Sequence, residues 1–333
     1  MPESFEYPKR YRAFGINISS SMSCPQFLPG SGPPHVFFRY GDVPLSLSNA
    51  LETSPTRQVT KERVLFFSED IGRYLVSEGR EILIHRDQNA ESAVLRVRLL
   101  GSPLGGLLHQ RKMFPLHGNA MVQNDTGLII LGDKGSGKTT LAAALFMRGW
   151  HIMADDICVV TFQDQGLPFV HPGAIHLKIR ETTAHMIGAS IADLIPVPGI
   201  QDRKFWLAPE NHICRHKARL ALILVLATET RPDYSITPIT RMDTLDQLYR
   251  HTYRRRLINY FGNRLDFLCF ANAMASKVPA FMISLTQDGF LFERIADDIL
   301  RYVQNTPART PVPMIRTAAT VPPVEMINLG EET

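Results

Sequence analysis

The segment Gly132-Asp133-Lys134-Gly135-Ser136-Gly137-Lys138-Thr139 fits G-x-x-x-x-G-K-[ST] and constrains the fold more than any other stretch of the chain. Such a segment works only as a turn from a strand into a helix. Its glycines let the backbone curl until successive N–H groups face one point, and a helix starting at the lysine adds its positive end. Both flanks are present. Residues 127–131 are an apolar strand, and residues 138–147 a helix stopped by Gly149. A chance glycine turn would have neither. Lys138 would set a compact charge between the β- and γ-phosphates of a nucleotide, and Thr139 would offer its hydroxyl to a phosphate-bound Mg²⁺. The expected ligands are ATP and Mg²⁺. The nucleotide-contacting set is Gly132, Asp133, Lys134, Gly135, Ser136, Gly137, Lys138, Thr139 and Thr140.

Strands and helices alternate from this point, with residues 152–154 and 220–226 as further strands, which predicts an α/β layer around a buried sheet. Ala154-Asp155-Asp156 ends a short apolar run seventeen residues after Lys138. One helix and a tight turn return the chain to the sheet beside the loop, where strand ends carry Mg²⁺ ligands and bases. Adjacent carboxylates on an extended chain point to opposite sides. One can therefore hold the metal while the other faces an acceptor hydroxyl. An Asp-Asp pair alone would read as a solvated turn; its place behind the loop favours the chemical role.

Taken in order, Leu116-His117-Gly118, the 132–139 loop, Arg148-Gly149-Trp150 and Ala154-Asp155-Asp156 resemble the catalytic domain of the HPr serine kinase/phosphorylase family, over about residues 99–160. The resemblance implies an α/β P-loop kinase core that uses ATP and Mg²⁺ to phosphorylate a serine of a peptide or small protein. It makes Asp155 the acid/base group and His117 the histidine beside it. Asp156 becomes the acidic neighbour that holds the metal with Thr139, and Lys138 keeps its loop role. It also leaves a homo-oligomer open. The chain departs from the bifunctional enzymes, however. It lacks their Arg-Gly-Leu-Gly-Ile type segment, linked to phosphate removal, and has residues 170–177 there instead; Thr140 stands where they usually have Glu. Leu99-Leu100-Gly101, Leu107-Leu108-His109-Gln110-Arg111 and Pro115-Leu116-His117 resemble a diverged HPr-kinase-like group. Some members of that group look like kinases encoded with lasso peptides, acting on a serine at the precursor's C-terminal end. Phosphate removal is expected to be weak or absent. A nucleotide-dependent regulatory switch and a small-molecule kinase are the alternatives.

The expected organisation is a small β-rich N-terminal region (1–105), the catalytic domain (106–304) and a Pro-rich mobile tail (305–333). Residues 1–60 read as an irregular arm or a few short strands. Residues 64–67, 74–76, 82–84 and the alternating 94–99 read as a small antiparallel sheet, and residues 101–111 as a linking helix. Arg203 and Lys204 are candidate cations for the transferring phosphoryl group. The basic run Arg250 to Arg256 reads as the solvated face of a helix over Leu257, Ile258 and Phe261. Arg215-His216-Lys217 is a polar lead-in to a strand, and His171 and His176 are read as non-ligands.

Composition narrows the rest. Lys+Arg is 36 against Asp+Glu 32, too even for a nucleic-acid binder. With 44% hydrophobic and 20% charged residues the chain can bury a core. The four cysteines lack metal-ligand spacing and are too few for a disulfide scaffold. The start has no basic stretch leading into an apolar run, and the longest clean apolar run, 220–227, is far short of the ~20 residues that span a bilayer. The expectation is a cytoplasmic protein without membrane or nucleic-acid partners.

Overall fold

The computed structural model describes residues 8–200, 202–207, 213–229, 233–285 and 289–305. The expected tail, past Asn305, lies outside the described residues. The architecture is mixed α/β with three sheets.

The first sheet takes β1 (Lys9–Ala13), β2 (Ile16–Ser20), β3 (Leu28–Pro29), β4 (Val36–Tyr40), β5 (Glu52–Ser54), β6 (Arg57–Val59), β7 (Arg63–Ser68), β8 (Gly72–Ser77) and β9 (Glu81–Arg86). Its order is β3-β1-β2-β4-β9-β8-β7-β6-β5. Two corrections follow. The sheet is larger than expected and mixed, because β4 pairs in parallel with both β2 and β9. Residues 94–99 are not a strand: they fall in α1 (Ser92–Leu99). Leu95 and Leu99, four apart, share one helical face and are fully buried among Tyr74, Val76 and Ile84 of the sheet. That packing overrides the alternation with Arg96 and Arg98, whose guanidiniums reach the carbonyls of Ser23 (3.3 Å) and Gly199 (3.3 Å). The expected linking helix is α2 (Ser102–Gln110), which also lays Leu104, Leu107 and Leu108 on this sheet, so the boundary drawn at 105/106 falls inside one helix.

The second sheet contains β10 (Gly118–Gln123) and β11 (Thr126–Gly132). After α3 (Lys138–Phe146) come β12 (His151–Ala154), β13 (Val160–Phe162) and β14 (Pro168–Val170). A third, three-stranded sheet is formed by β15 (Leu177–Arg180), β16 (Ile195–Pro196) and β17 (Lys204–Leu207), with α4 (Glu181–Met186) between the first two. The chain then returns to the second sheet through β18 (Ala218–Thr228) and β19 (Ser235–Pro238). It runs through α5 (Arg241–Arg250), α6 (Leu257–Tyr260) and α7 (Arg264–Lys277), adds β20 (Ala280–Leu285), and ends its described course in α8 (Gly289–Asn305).

Parallel strands β11, β18 and β20 form the centre of the second sheet. Leu128 and Ile130 face α3 and α8; Ile129 and Leu131 face α5 and α7. Covered on both faces, β11 is apolar at consecutive positions rather than alternately. No helix among the described residues is long and apolar enough to cross a membrane.

Candidate functional site

Sheet register gathers the site at one end of the second sheet. Gly118 pairs with Leu131, and Ala120 with Ala154. His117 ahead of β10, Gly132 closing β11 and Asp155 following β12 therefore share an edge.

The glycine loop leaves β11 and enters α3 at Gly137, whose left-handed φ of +94° suits only glycine. A Cβ there would also run into the ring of Phe292 on α8, so the loop's back is in contact with that helix. The first bond of α3 runs from Leu141 N–H to the Gly137 carbonyl (2.9 Å), and the N–H groups before it have no partner within the helix. Ser136 is buried (4% exposed) and its Oγ has no partner among the described residues. Lys138 folds over the loop, donating from Nζ to the carbonyls of Gly132 (2.8 Å) and Asp133 (2.9 Å). Burial pulls its pKa down against the opposing charges of Asp156, Asp133 and Asp155. Asp133 pairs with Arg250, both exposed; Lys134 is exposed, and the Thr140 hydroxyl meets that of Thr183 at 3.2 Å.

Asp155 is 3% exposed. Its Oδ1 accepts from Asn119 Nδ2 (2.6 Å) and its Oδ2 from the Lys178 backbone N–H (3.1 Å). Burial, and then the charge of Asp156, push its pKa up to about 6 against the attraction of Lys178. Asp156 turns away with φ +65°, leaving its side chain 46% exposed. Desolvation pushes its carboxyl up, but the charge of Lys178 and their hydrogen bond outweigh that, and it titrates below the ordinary carboxylate range. Lys178 Nζ also lies 3.8 Å from Asp155 Oδ2 and 5.7 Å from the centre of the Trp206 ring. Burial would lower the Lys178 pKa; the two carboxylates raise it instead.

His117 reaches the backbone of Asp156 rather than the Asp155 carboxyl. Its Nδ1 sits 3.1 Å from the Asp156 carbonyl, which puts the ring proton on Nδ1. Burial and the charge of Lys138 lower its pKa. Its own N–H is held by the His251 carbonyl (2.7 Å), and its ring is 5.8 Å from Tyr253.

Of the two candidate cations, Lys204 acts electrostatically on Asp155, Asp156 and Lys138, whereas Arg203 stacks over Phe205 (5.4 Å). His171 Nε2 meets Thr161 Oγ1 (2.7 Å), and His176 packs edge-on to Trp206 (5.8 Å). Sequence reasoning missed Asn119 and Lys178. Asn119 carries a weak signal, two residues after His117 on β10. Lys178 carries none, since only the meeting of β15 with the end of β12 gives it a role.

Among the described residues no cluster of three or more His, Cys, Asp or Glu could hold a metal ion by itself, but two oxygen donors of the kind a hard divalent cation takes stand at the start of α3 and beside Asp155. Thr139 offers a hydroxyl, and Asp156 is an ionised carboxylate, Lys178 engaging its Oδ2.

No protein-family model matches the chain, and no curated protein matches it. Among solved structures it is similar to the HPr(Ser) kinase/phosphatase from Coxiella burnetii, at 13% identity and a TM-score of 0.29, over 57% of this chain and 92% of that one. At this level the overlap is a distant fold likeness and says nothing of function.

Proposed function

We propose that this chain is an HPr-kinase-like P-loop kinase that transfers the γ-phosphoryl group of ATP to a serine hydroxyl of a peptide or small protein. One observation carries the reading. A buried carboxyl, Asp155, stands at a strand end on the same sheet edge as the glycine loop, oriented by Asn119 and the Lys178 N–H, with an ionised carboxylate next to it.

In this reading the N–H groups at the start of α3 receive the β- and γ-phosphates. Lys138 exchanges its two backbone carbonyls for phosphate oxygens. Thr139 and Asp156 would hold Mg²⁺, which supplies neutralisation of charge on those oxygens. Asp155 orients the serine hydroxyl and takes its proton as the serine oxygen bonds to phosphorus. The bond from phosphorus to the bridging oxygen breaks, and ADP leaves with that electron pair. Lys204 adds positive charge near the transferring group. Lys178 keeps Asp156 ionised and limits repulsion between the carboxylates. A serine at the C-terminal end of a lasso peptide precursor is the acceptor to try first.

The test is mass spectrometry of serine peptides, including ones that end in serine, and of an HPr-like protein, after incubation with ATP and Mg²⁺. One added phosphate, absent with Lys138→Ala, is the expected result. Tight MgATP binding without transfer to any of them would replace this reading with a nucleotide-dependent switch. Label from γ-labelled ATP found only in the low-mass fraction would replace it with a small-molecule kinase.

A further inference from the structure

A cavity of about 400 Å³ opens on the first sheet, lined by Pro34, His35, Phe37, Arg80 and Arg111. Pro34, His35 and Phe37 come from the entry to β4 and the strand itself. Arg80 comes from the turn between β8 and β9, and Arg111 from the C-terminal cap of α2. None belongs to the glycine-loop site.

The polar side chains of this wall are a histidine and two guanidiniums, with no carboxylate among them. Arg111 is fixed in place: its Nη1 donates to the Gly79 carbonyl (2.8 Å), while its Nε is buried without a partner among the described residues. The turn is shaped around it. Gly79 has φ +63°, and a Cβ there would sit 2.8 Å from Arg111 Cγ. Burial, and then the nearby charge of Arg80, hold Arg111 below its ordinary pKa, as two like charges sharing one hollow should. His35 Nδ1 accepts from the Asn17 N–H (3.0 Å), so its ring proton is on Nε2, a further donor. The adjacent Glu81 does not neutralise the pair, because it is engaged with Arg39 (3.1 Å), which lies over the Phe37 ring. A wall whose side chains offer donors and no carboxylate, two guanidiniums that no carboxylate pairs with among the described residues, and the apolar Phe37 and Pro34 match an anion on an apolar body.

We infer that this cavity binds an oxyanion, phosphate or carboxylate, carried on an apolar ring or chain, with Arg80 and Arg111 on the charge and Phe37 and Pro34 on the body. The inference is independent of the kinase reading.

The experiment is calorimetric titration of phenyl phosphate and of benzoate into the full chain carrying Lys138→Ala, which removes the glycine loop's cation from the signal. Saturable millimolar or tighter binding of at least one is expected. Adding Arg80→Ala should weaken it about tenfold or more, the loss of one charge-assisted contact, with an unmoved thermal transition. Tighter phenyl phosphate identifies a phosphoryl ligand, and tighter benzoate a carboxylate. Failure of both to saturate, or binding that Arg80→Ala leaves unweakened, overturns the inference.

Discussion

The chain turns on glycine and crosses the turn with a cation in two places. At the glycine loop, Lys138 Nζ bonds the carbonyls of Gly132 and Asp133; between β8 and β9, Arg111 Nη1 bonds that of Gly79. The turns differ in what they join. The loop passes from a parallel strand into a helix, so the N–H groups at the helix start are left facing outward. The hairpin turn spends its donors internally. Gly79 N–H goes to Gln110 Oε1 (2.7 Å) and Arg80 N–H to the Ser77 carbonyl (3.0 Å). Backbone can therefore recognise an anion at the first turn, whereas at the second only side chains can. The elements on either side, more than the glycine, decide which kind of site a turn becomes.

The largest effect that sharpens this contrast is expected from Asp155→Asn. It should lower phosphoryl transfer by roughly 10²–10⁴-fold while MgATP affinity, set by the loop backbone and Lys138, stays put. Steady-state transfer beside nucleotide titration checks this, and a variant with the parent rate would remove Asp155 as the proton acceptor. The wild-type rate should also rise with pH through about 6, where Asp155 loses its proton, and level off above. Lys178→Gln should move that limb to higher pH, because the largest positive charge opposing Asp156 at Asp155 would then be gone. A rate that is flat in this window, or a limb moved downward by the variant, would count against the assignment.

Next come the glycines. Gly137→Ala meets the Phe292 ring at a positive φ and should cost about 2–4 kcal/mol, overpacking added to strain. Gly135→Ala, also at positive φ (+88°) but with nothing within 4 Å of its Cβ, should cost only the strain, about 1–2 kcal/mol. Gly79→Ala should fall between them, since its Cβ would meet Arg111 Cγ at 2.8 Å, a milder overlap than the closer approach of a Gly137 Cβ to the Phe292 ring. Urea unfolding ranks the three; equal losses at Gly135 and Gly137 would mean that α8 does not brace the loop. The smallest effect is expected from Arg250→Ala, which removes an ion pair with Asp133 whose side chains are 51% and 63% exposed. It should shift stability by less than about 1 kcal/mol, read from the same unfolding curves.

Local features were legible in the sequence. The loop with its two flanking elements needs only neighbouring residues to specify it, and the observed β11 and α3 begin and end within a residue of the expected bounds. The place of the aspartate pair, just past the end of β12, was legible by its distance from Lys138. What was missed is long-range. Asn119 and Lys178 reach Asp155 only after β10, β12 and β15 have met. Parallel pairing of β2, β4 and β9 leaves no periodic trace that tells it from antiparallel pairing. Residues 94–99 satisfied two periodicities together, and the neighbouring sheet, through Leu95 and Leu99, chose the helical one.

The seat of Gly137 against Phe292 has a consequence for how the protein is made. A nascent chain that already holds the glycine loop, α3 and both aspartates still lacks the surface on which the loop rests, because α8 emerges last of the described elements. The same helix pairs Asp297 with Arg148, just beyond α3. The loop therefore gains its seat only once α8 has been made, and a chain that stops before it carries the motif without its support.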